Sequence, residues 1–255
     1  MERFFGFDLG DAESAVSVLE KNSKREPEVL AVAGAKSFIT AWARLENMQL
    51  VIGEAACYQM HAMERKLRFK SRFLKDGRSA ADVRQFASGV LGELVREGLA
   101  DPQEDCCFYI GCPAGWNRDV REKYRSIFEE AGYPPVRIIS ESRAALVSAC
   151  QSRHLQVGYD ILSHPVLVVD IGSSTTDFAY IMGGREVELK TAGETFLGGG
   201  QMDELVLEES LRISEQGQKL REVFEKSEPW RNYCEFAARR LKEKYFSDEP
   251  YWREH

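Results

Sequence analysis

The chain has 255 residues, enough for one large domain or two lobes, and its 44% hydrophobic and 29% charged composition is that of a folded globular protein. A formal charge of −7 argues against a nucleic-acid scaffold, whose phosphate contacts need an excess of Lys and Arg. No apolar run approaches the ~20 residues of a membrane span, and Met-Glu-Arg runs straight into a strand without a signal-peptide pattern, so no membrane partner and a cytoplasmic location are expected.

The first strand is expected over Phe4 to Leu9, with a return strand over Ala15 to Leu19. "KSFITAWARL" and "QLVIG" read as two further strands, rich in β-branched and aromatic residues. From Glu54 to Phe73 the pattern turns basic and helical, and "SAADVRQFASGVLGELVREGLA" predicts a helix capped by Ser79. "CCFYIGCP" is a buried strand, and "NRDVREKYRSIFEEAG" an amphipathic helix from its Asn117 cap to Gly132. "VRIIS" adds a short strand, and Ser142 to Cys150 opens another helix. This alternation implies an α/β lobe.

"SRHLQVGYDILSHP" is polar and turn-rich, and is the expected lobe boundary, dividing residues 1–164 from 165–255. Beyond it come the hairpin "VLVVDIGSSTTDFAYIM", a strand pair in "REVELKT" and "ETFLGGG", a helix from Met202 to Ile213 and a longer one from Trp230 to Phe246. The six cysteines (57, 106, 107, 112, 150 and 234) lie partly in apolar stretches and are expected to be buried thiols. The spacing of Cys107 and Cys112 is not that of a zinc knuckle, and no second pair follows.

One supersecondary unit occurs twice. Asp8 and Asp170 each end an apolar strand, and a Gly-containing turn then leads into a second apolar strand. Either hairpin alone could be an ordinary turn that happens to hold Asp and Gly. Two copies suit nucleotide phosphates, because glycine lets backbone N–H groups approach an anion closely. The strand-end carboxylates suit the water shell of Mg²⁺. Ser173, Ser174, Thr175 and Thr176 supply hydroxyls around a γ-phosphate, and Asp177 a second carboxylate.

These segments resemble the actin-like ATPase superfamily and, within it, the nucleotide-binding domain of seventy-kilodalton heat-shock (DnaK-type) chaperones. "GFDLGDAESAV" is similar to the family's first phosphate loop and "VVDIGSSTTDFAYI" to its second. "VIGEAA", the segment from "GCPAGWN" to "SESRAALVSA", and "FLGGGQMDELV" match further landmarks in order, from Phe5 to about Phe246. The resemblance implies a two-lobed α/β (ribonuclease H-like) fold: lobe I over residues 1–164, and an incomplete second lobe over 165–255.

The resemblance also implies roles. Asp8 and Asp170 would order Mg²⁺ through water, and Lys70 would reach the γ-phosphate. Glu141 would position the attacking water. Gly10, Asp11 and Ala12 form the first phosphate loop; Gly172, Ser173, Ser174, Thr175 and Asp177 form the second. Gly198, Gly199 and Gly200 would lie beside the ATP. Lys70 sits in a basic run with Arg65, Lys66, Arg68 and Arg72, which equally suits a solvated lysine. Glu141 follows a buried strand, where an idle carboxylate would be costly. "NYCEFAARRLKEKYFS" resembles the helix that contacts the adenine.

Three departures stand out. Asp11 and Ala12 replace two threonines, which removes a donor and sets a carboxylate beside the phosphates. Gly172-Ser173-Ser174 replaces a triple glycine, and Ser142 a proline. The family's adenosine loop, returning helix and β-rich peptide-binding domain would all fall beyond residue 255. Weakened or altered ATP handling is therefore expected of an ATP-binding, ATP-hydrolysing part of a divergent heat-shock-type chaperone, with a client or co-chaperone as partner. The alternatives are a filament ATPase of the MreB type, or a scaffold that kept the fold and lost turnover.

Overall fold

The computed structural model describes residues 2–71, 73, 77–151, 163–187, 189, 193–194 and 197–248. Most of the expected lobe boundary, the part of "REVELKT" after Val187 other than Leu189, and the C-terminal tail from 249 lie outside them.

Strands β1 (Arg3–Leu9), β2 (Glu13–Glu20), β3 (Glu28–Leu30), β4 (Phe38–Ile39), β8 (Cys106–Cys112) and β9 (Val136–Ser140) form one sheet. Its order is β3-β2-β1-β8-β9, with β4 also on β2. The first hairpin is antiparallel, whereas β8 and β9 join it in parallel. Parallel neighbours require crossovers, which helices α2 (Gly77–Arg96) and α3 (Arg118–Glu130) supply. Asn117 caps α3 through Oδ1, which accepts the Val120 N–H at 3.0 Å.

The main core lies between this sheet and the two helices. Phe5, Phe7, Leu9, Phe108 and Ile110 from the strands meet Val83, Phe86, Val90 and Leu94 of α2 and Tyr124 and Phe128 of α3. Phe5 stacks on Phe108 at 4.6 Å, and Phe7 meets Phe128 edge-on at 5.9 Å.

A second sheet orders β6 (Leu50–Ile52), β5 (Ala41–Arg44) and β7 (Glu64–Leu67) beside the one-turn helix α1 (Glu54–Cys57). Here the expected helix from Glu54 to Phe73 is corrected: after one turn the chain becomes strand β7, paired antiparallel with β5 from Ala41↔Leu67 to Arg44↔Glu64. In a helix, Arg65, Lys66, Arg68 and Lys70 would crowd like charges at i,i+3 and i,i+4. Extension sends Arg65 and Lys66 to opposite faces of β7, and the buried Arg65 donates to Cys57 O at 2.6 Å.

The remaining elements are α4 (Glu141–Gln151), the sheet of β10 (Val166–Ile171), β11 (Thr176–Met182), β12 (Arg185–Val187) and β13 (Gly193–Glu194), and helices α5 (Gly199–Ile213), α6 (Gly217–Lys226) and α7 (Glu228–Ser247). Helix α2 begins before Ser79, which is buried inside it rather than capping it. Helix α5 begins at Gly199 rather than Met202, and α6 was not anticipated. The protein is thus a mixed α/β fold with several sheets. Among the described residues no helix is long and apolar enough to cross a membrane.

Cys57, Cys106 and Cys112 are buried and Cys107 and Cys234 half-buried, but Cys150 on α4 is exposed. The expectation of buried thiols fails at Cys150, because α4 has only a weakly apolar face and buries little besides Ser142 and Leu146.

Candidate functional site

The two hairpins repeat one geometry. In the first, Asp8 lies opposite Ala15, and Gly10, Asp11 and Ala12 make the turn. Thr40, just after β4, supports it: its Oγ1 donates to Gly10 O at 2.8 Å and its N–H to Ala12 O at 2.9 Å. In the second, Asp170 lies directly opposite Asp177, and the Gly172 N–H donates to Thr175 O at 2.8 Å to close the turn. Thr175 Oγ1 donates to Asp177 Oδ2 at 2.8 Å.

Gly198, Gly199 and Gly200 pack on the second turn. The Gly199 N–H reaches Gly172 O at 3.0 Å and the Gly200 N–H reaches Ser173 O at 2.5 Å. A Cβ at Gly200 would stand 2.8 Å from Ser173 O, so only glycine permits this approach.

A charged cluster joins the hairpins. Arg68, just after β7, adopts φ 50°, and the bend leaves Phe69 and Lys70 buried. The Lys70 ammonium lies 2.6 Å from Oε1 of Glu141, the first residue of α4. Lys70 is therefore not the solvated lysine its basic run suggested. Beside Glu141, Gly111 of β8 leaves the needed space: a Cβ there would meet Glu141 Cγ at 3.0 Å.

Electrostatics tie Asp8, Asp170 and Asp177 to this pair. Asp8 keeps contact with solvent, yet the protein around it removes enough water to push its carboxyl up; Lys70 opposes this, and Glu141 and Asp170 add to it. Desolvation, with Glu141, likewise raises Asp170. Desolvation raises Asp177 against the Thr175 hydrogen bond, and Glu141 and Asp170 contribute. For Lys70 burial acts downward, but Glu141, Tyr124 and Asp8 outweigh it and hold the ammonium above its ordinary range.

Sequence reasoning missed Tyr124, whose buried hydroxyl has no hydrogen-bond partner among the described residues and faces the field of Lys70, Glu141 and Asp8. It also missed the helix contacts. Asp203 of α5, almost fully buried, holds Arg68 at 2.9 Å and Lys242 of α7 at 2.7 Å. Arg239 of α7 pairs with Glu13 and donates to Ala12 O at 3.3 Å. These contacts border a recess lined by Asp11, Ala12, Thr40, Arg68, Glu235 and Arg239. The only signal for them was the resemblance of the α7 segment to an adenine-contacting helix.

A family model described as "Hsp70 protein" matches residues 89–245. The chain belongs to the Hsp70 family. This Hsp70-family chain is 28% identical over 227 residues to the chaperone protein DnaK of Picrophilus torridus, covering 81% of itself and 35% of that relative. It is 27% identical over 224 residues to DnaK of Endomicrobium trichonymphae, covering 82% and 35%. DnaK of Thermoplasma acidophilum is 28% identical over 232 residues, with 81% and 35% covered. The chain spans about a third of the length of the curated relatives it matches.

The donor set of this Hsp70-family site fits a hydrated divalent cation. Asp8, Glu141, Asp170 and Asp177 surround one ammonium, Lys70; desolvation raises the three Asp carboxyls first, and their mutual repulsion with Glu141 adds to it. Among the described residues no three His, Cys, Asp or Glu side chains stand at direct-ligation spacing. Water would have to complete the shell, which is the habit of Mg²⁺.

Proposed function

We propose that this chain forms part of an ATP-binding, ATP-hydrolysing unit of a heat-shock-type chaperone, with residues 1–164 and 165–255 contributing one lobe each. One observation carries the reading: two like hairpins, far apart in sequence, bring Asp8 and Asp170 into the field of one buried Lys70–Glu141 pair.

In this reading the Gly172–Thr175 turn and the Gly198–Gly200 segment cradle phosphates through backbone N–H groups and hydroxyls. Lys70 supplies positive charge to the terminal phosphate. Glu141 accepts a hydrogen bond from the attacking water and aligns it, so that water adds to the γ-phosphorus as the bond to the β-phosphate oxygen breaks. Asp8 and Asp170 would hold the waters of Mg²⁺, which when bound neutralises phosphate charge. Positioning and charge are most of what phosphoryl transfer needs from a protein.

Membership of the Hsp70 family weighs against the filament alternative. The scaffold alternative keeps one specific support, the carboxylate of Asp11 at the junction of the turns. Single-turnover hydrolysis of ATP·Mg²⁺ by wild type and Glu141→Ala separates the two. Binding with turnover that falls about 100-fold in the variant supports the ATPase; equal, near-zero rates support the scaffold. Absence of any nucleotide binding would refute the reading.

A further inference from the structure

Asp11 stands where three separate chain segments meet. Its Oδ1 accepts the backbone N–H of Ser71 at 3.1 Å, and its Oδ2 accepts the hydroxyl of Ser174. Ser71 directly follows Lys70, which holds Glu141; Ser174 directly precedes Thr175, which holds Asp177. Asp11 thus fastens the first turn to the second and to the end of the cluster where chemistry would occur.

These are the donors that an anionic ligand would seek. An amide N–H from the segment after Lys70 and a hydroxyl from the second turn bind a carboxylate oxygen or a phosphate oxygen alike. The neighbours of Asp11 are Gly10 and Ala12, which bring no side-chain donor of their own. A terminal phosphate entering this junction would lose both donors and meet a like charge at contact distance.

We propose that Asp11 is an internal anion that takes the place of a terminal phosphate between the two turns, so that the site accepts a nucleoside diphosphate in preference to a triphosphate. The preference rests on the nucleotide reading above; the internal anion does not. The carboxylate also fastens the two turns together before any ligand arrives. A diphosphate, one phosphate shorter, leaves the Asp11 contacts to Ser71 and Ser174 in place, whereas a triphosphate must displace them.

Two measurements test this on the full chain as wild type, Asp11→Asn and Asp11→Ala. Without nucleotide, Asp11→Ala should melt below wild type, and formate or inorganic phosphate should raise its Tm by several degrees while moving wild type by about a degree or less. In calorimetric titrations, wild type should bind ADP·Mg²⁺ at least about tenfold more tightly than ATP·Mg²⁺. Asp11→Asn, which keeps the shape and removes the charge, should narrow that ratio to about threefold or less and serves if Asp11→Ala does not fold. The proposal is overturned if the ADP-to-ATP ratio is the same in wild type and Asp11→Asn, or if neither anion restores Asp11→Ala while nucleotide still binds. Restoration by an anion with no nucleotide bound by any of the three proteins would instead refute the nucleotide reading and the preference built on it, and leave the internal anion standing.

Discussion

Lys70 and Glu141, 71 residues apart, form a 2.6 Å ion pair whose lysine side chain is 7% exposed and whose glutamate side chain is 22% exposed. Removing one partner of such a pair strands the other charge, and here Asp8 and Asp170 would add to the repulsion. Lys70→Met should lower unfolding stability by about 3 kcal/mol, the low end for a buried pair because Glu141 keeps some water. The double variant Lys70→Met/Glu141→Gln should recover more than half of the loss. Urea denaturation of the four proteins reads the cycle; additive losses would show that the pair contributes nothing jointly.

Gly111 tests the placement of Glu141 without touching a charge. An alanine Cβ would press on Glu141 Cγ at 3.0 Å and on Oε1 at 3.3 Å, so the carboxylate must move by a few tenths of an ångström. Gly111→Ala should therefore cut ATP turnover about tenfold or more, since reactive groups tolerate little misplacement. Its Tm should shift by only a few degrees. Turnover equal to wild type would separate Glu141 from the reaction.

How much of this was legible beforehand varies with the range of the interaction. The hairpins could be read because apolar alternation and Asp-Gly turns are local, and α3 because Asn117 caps it locally. Strand β7 could not, because its basic segment reads locally as helix and its strand state comes from pairing with β5. Lys70 was reached only through resemblance, Glu141 through resemblance and its place after a buried strand, and Asp203 not at all. Its bond to Arg68 spans 135 residues, and no local pattern announces a contact of that length.

The cysteines offer a check on packing that is independent of any ligand. Burial raises the thiols of Cys57 and Cys112 to about 11, although Arg65 opposes it at the first and Arg121 at the second. Cys150 is exposed on α4. At about pH 8 iodoacetamide should modify Cys150 within minutes and leave Cys57 and Cys112 at least about 100-fold slower until urea unfolds the chain, because the thiolate is the reactive form. Mass spectrometry of timed digests gives the order. Early labelling of Cys112 would mean that β8 is not packed as described.

The carboxylates link stability to pH and, in the proposed reading, to divalent cations. Asp8, Asp170 and Asp177 all have folded-state pKa values above the ordinary 3.8. The folded chain then holds more protons than the unfolded one as pH rises above about 4, so these groups cost stability progressively up to and through their raised values. Above those raised values the cost is full, and a cation shared by Asp8 and Asp170 would offset part of it. Millimolar Mg²⁺ should thus raise the Tm most near pH 7.5, and its effect should shrink as the pH falls through the raised values and protons replace the cation. Asp8→Asn should raise the Tm without Mg²⁺ at neutral pH and reduce the Mg²⁺ increment by half or more. Differential scanning fluorimetry across that range decides the matter. An increment that stays constant with pH, or survives Asp8→Asn and Asp170→Asn together, would place the cation elsewhere.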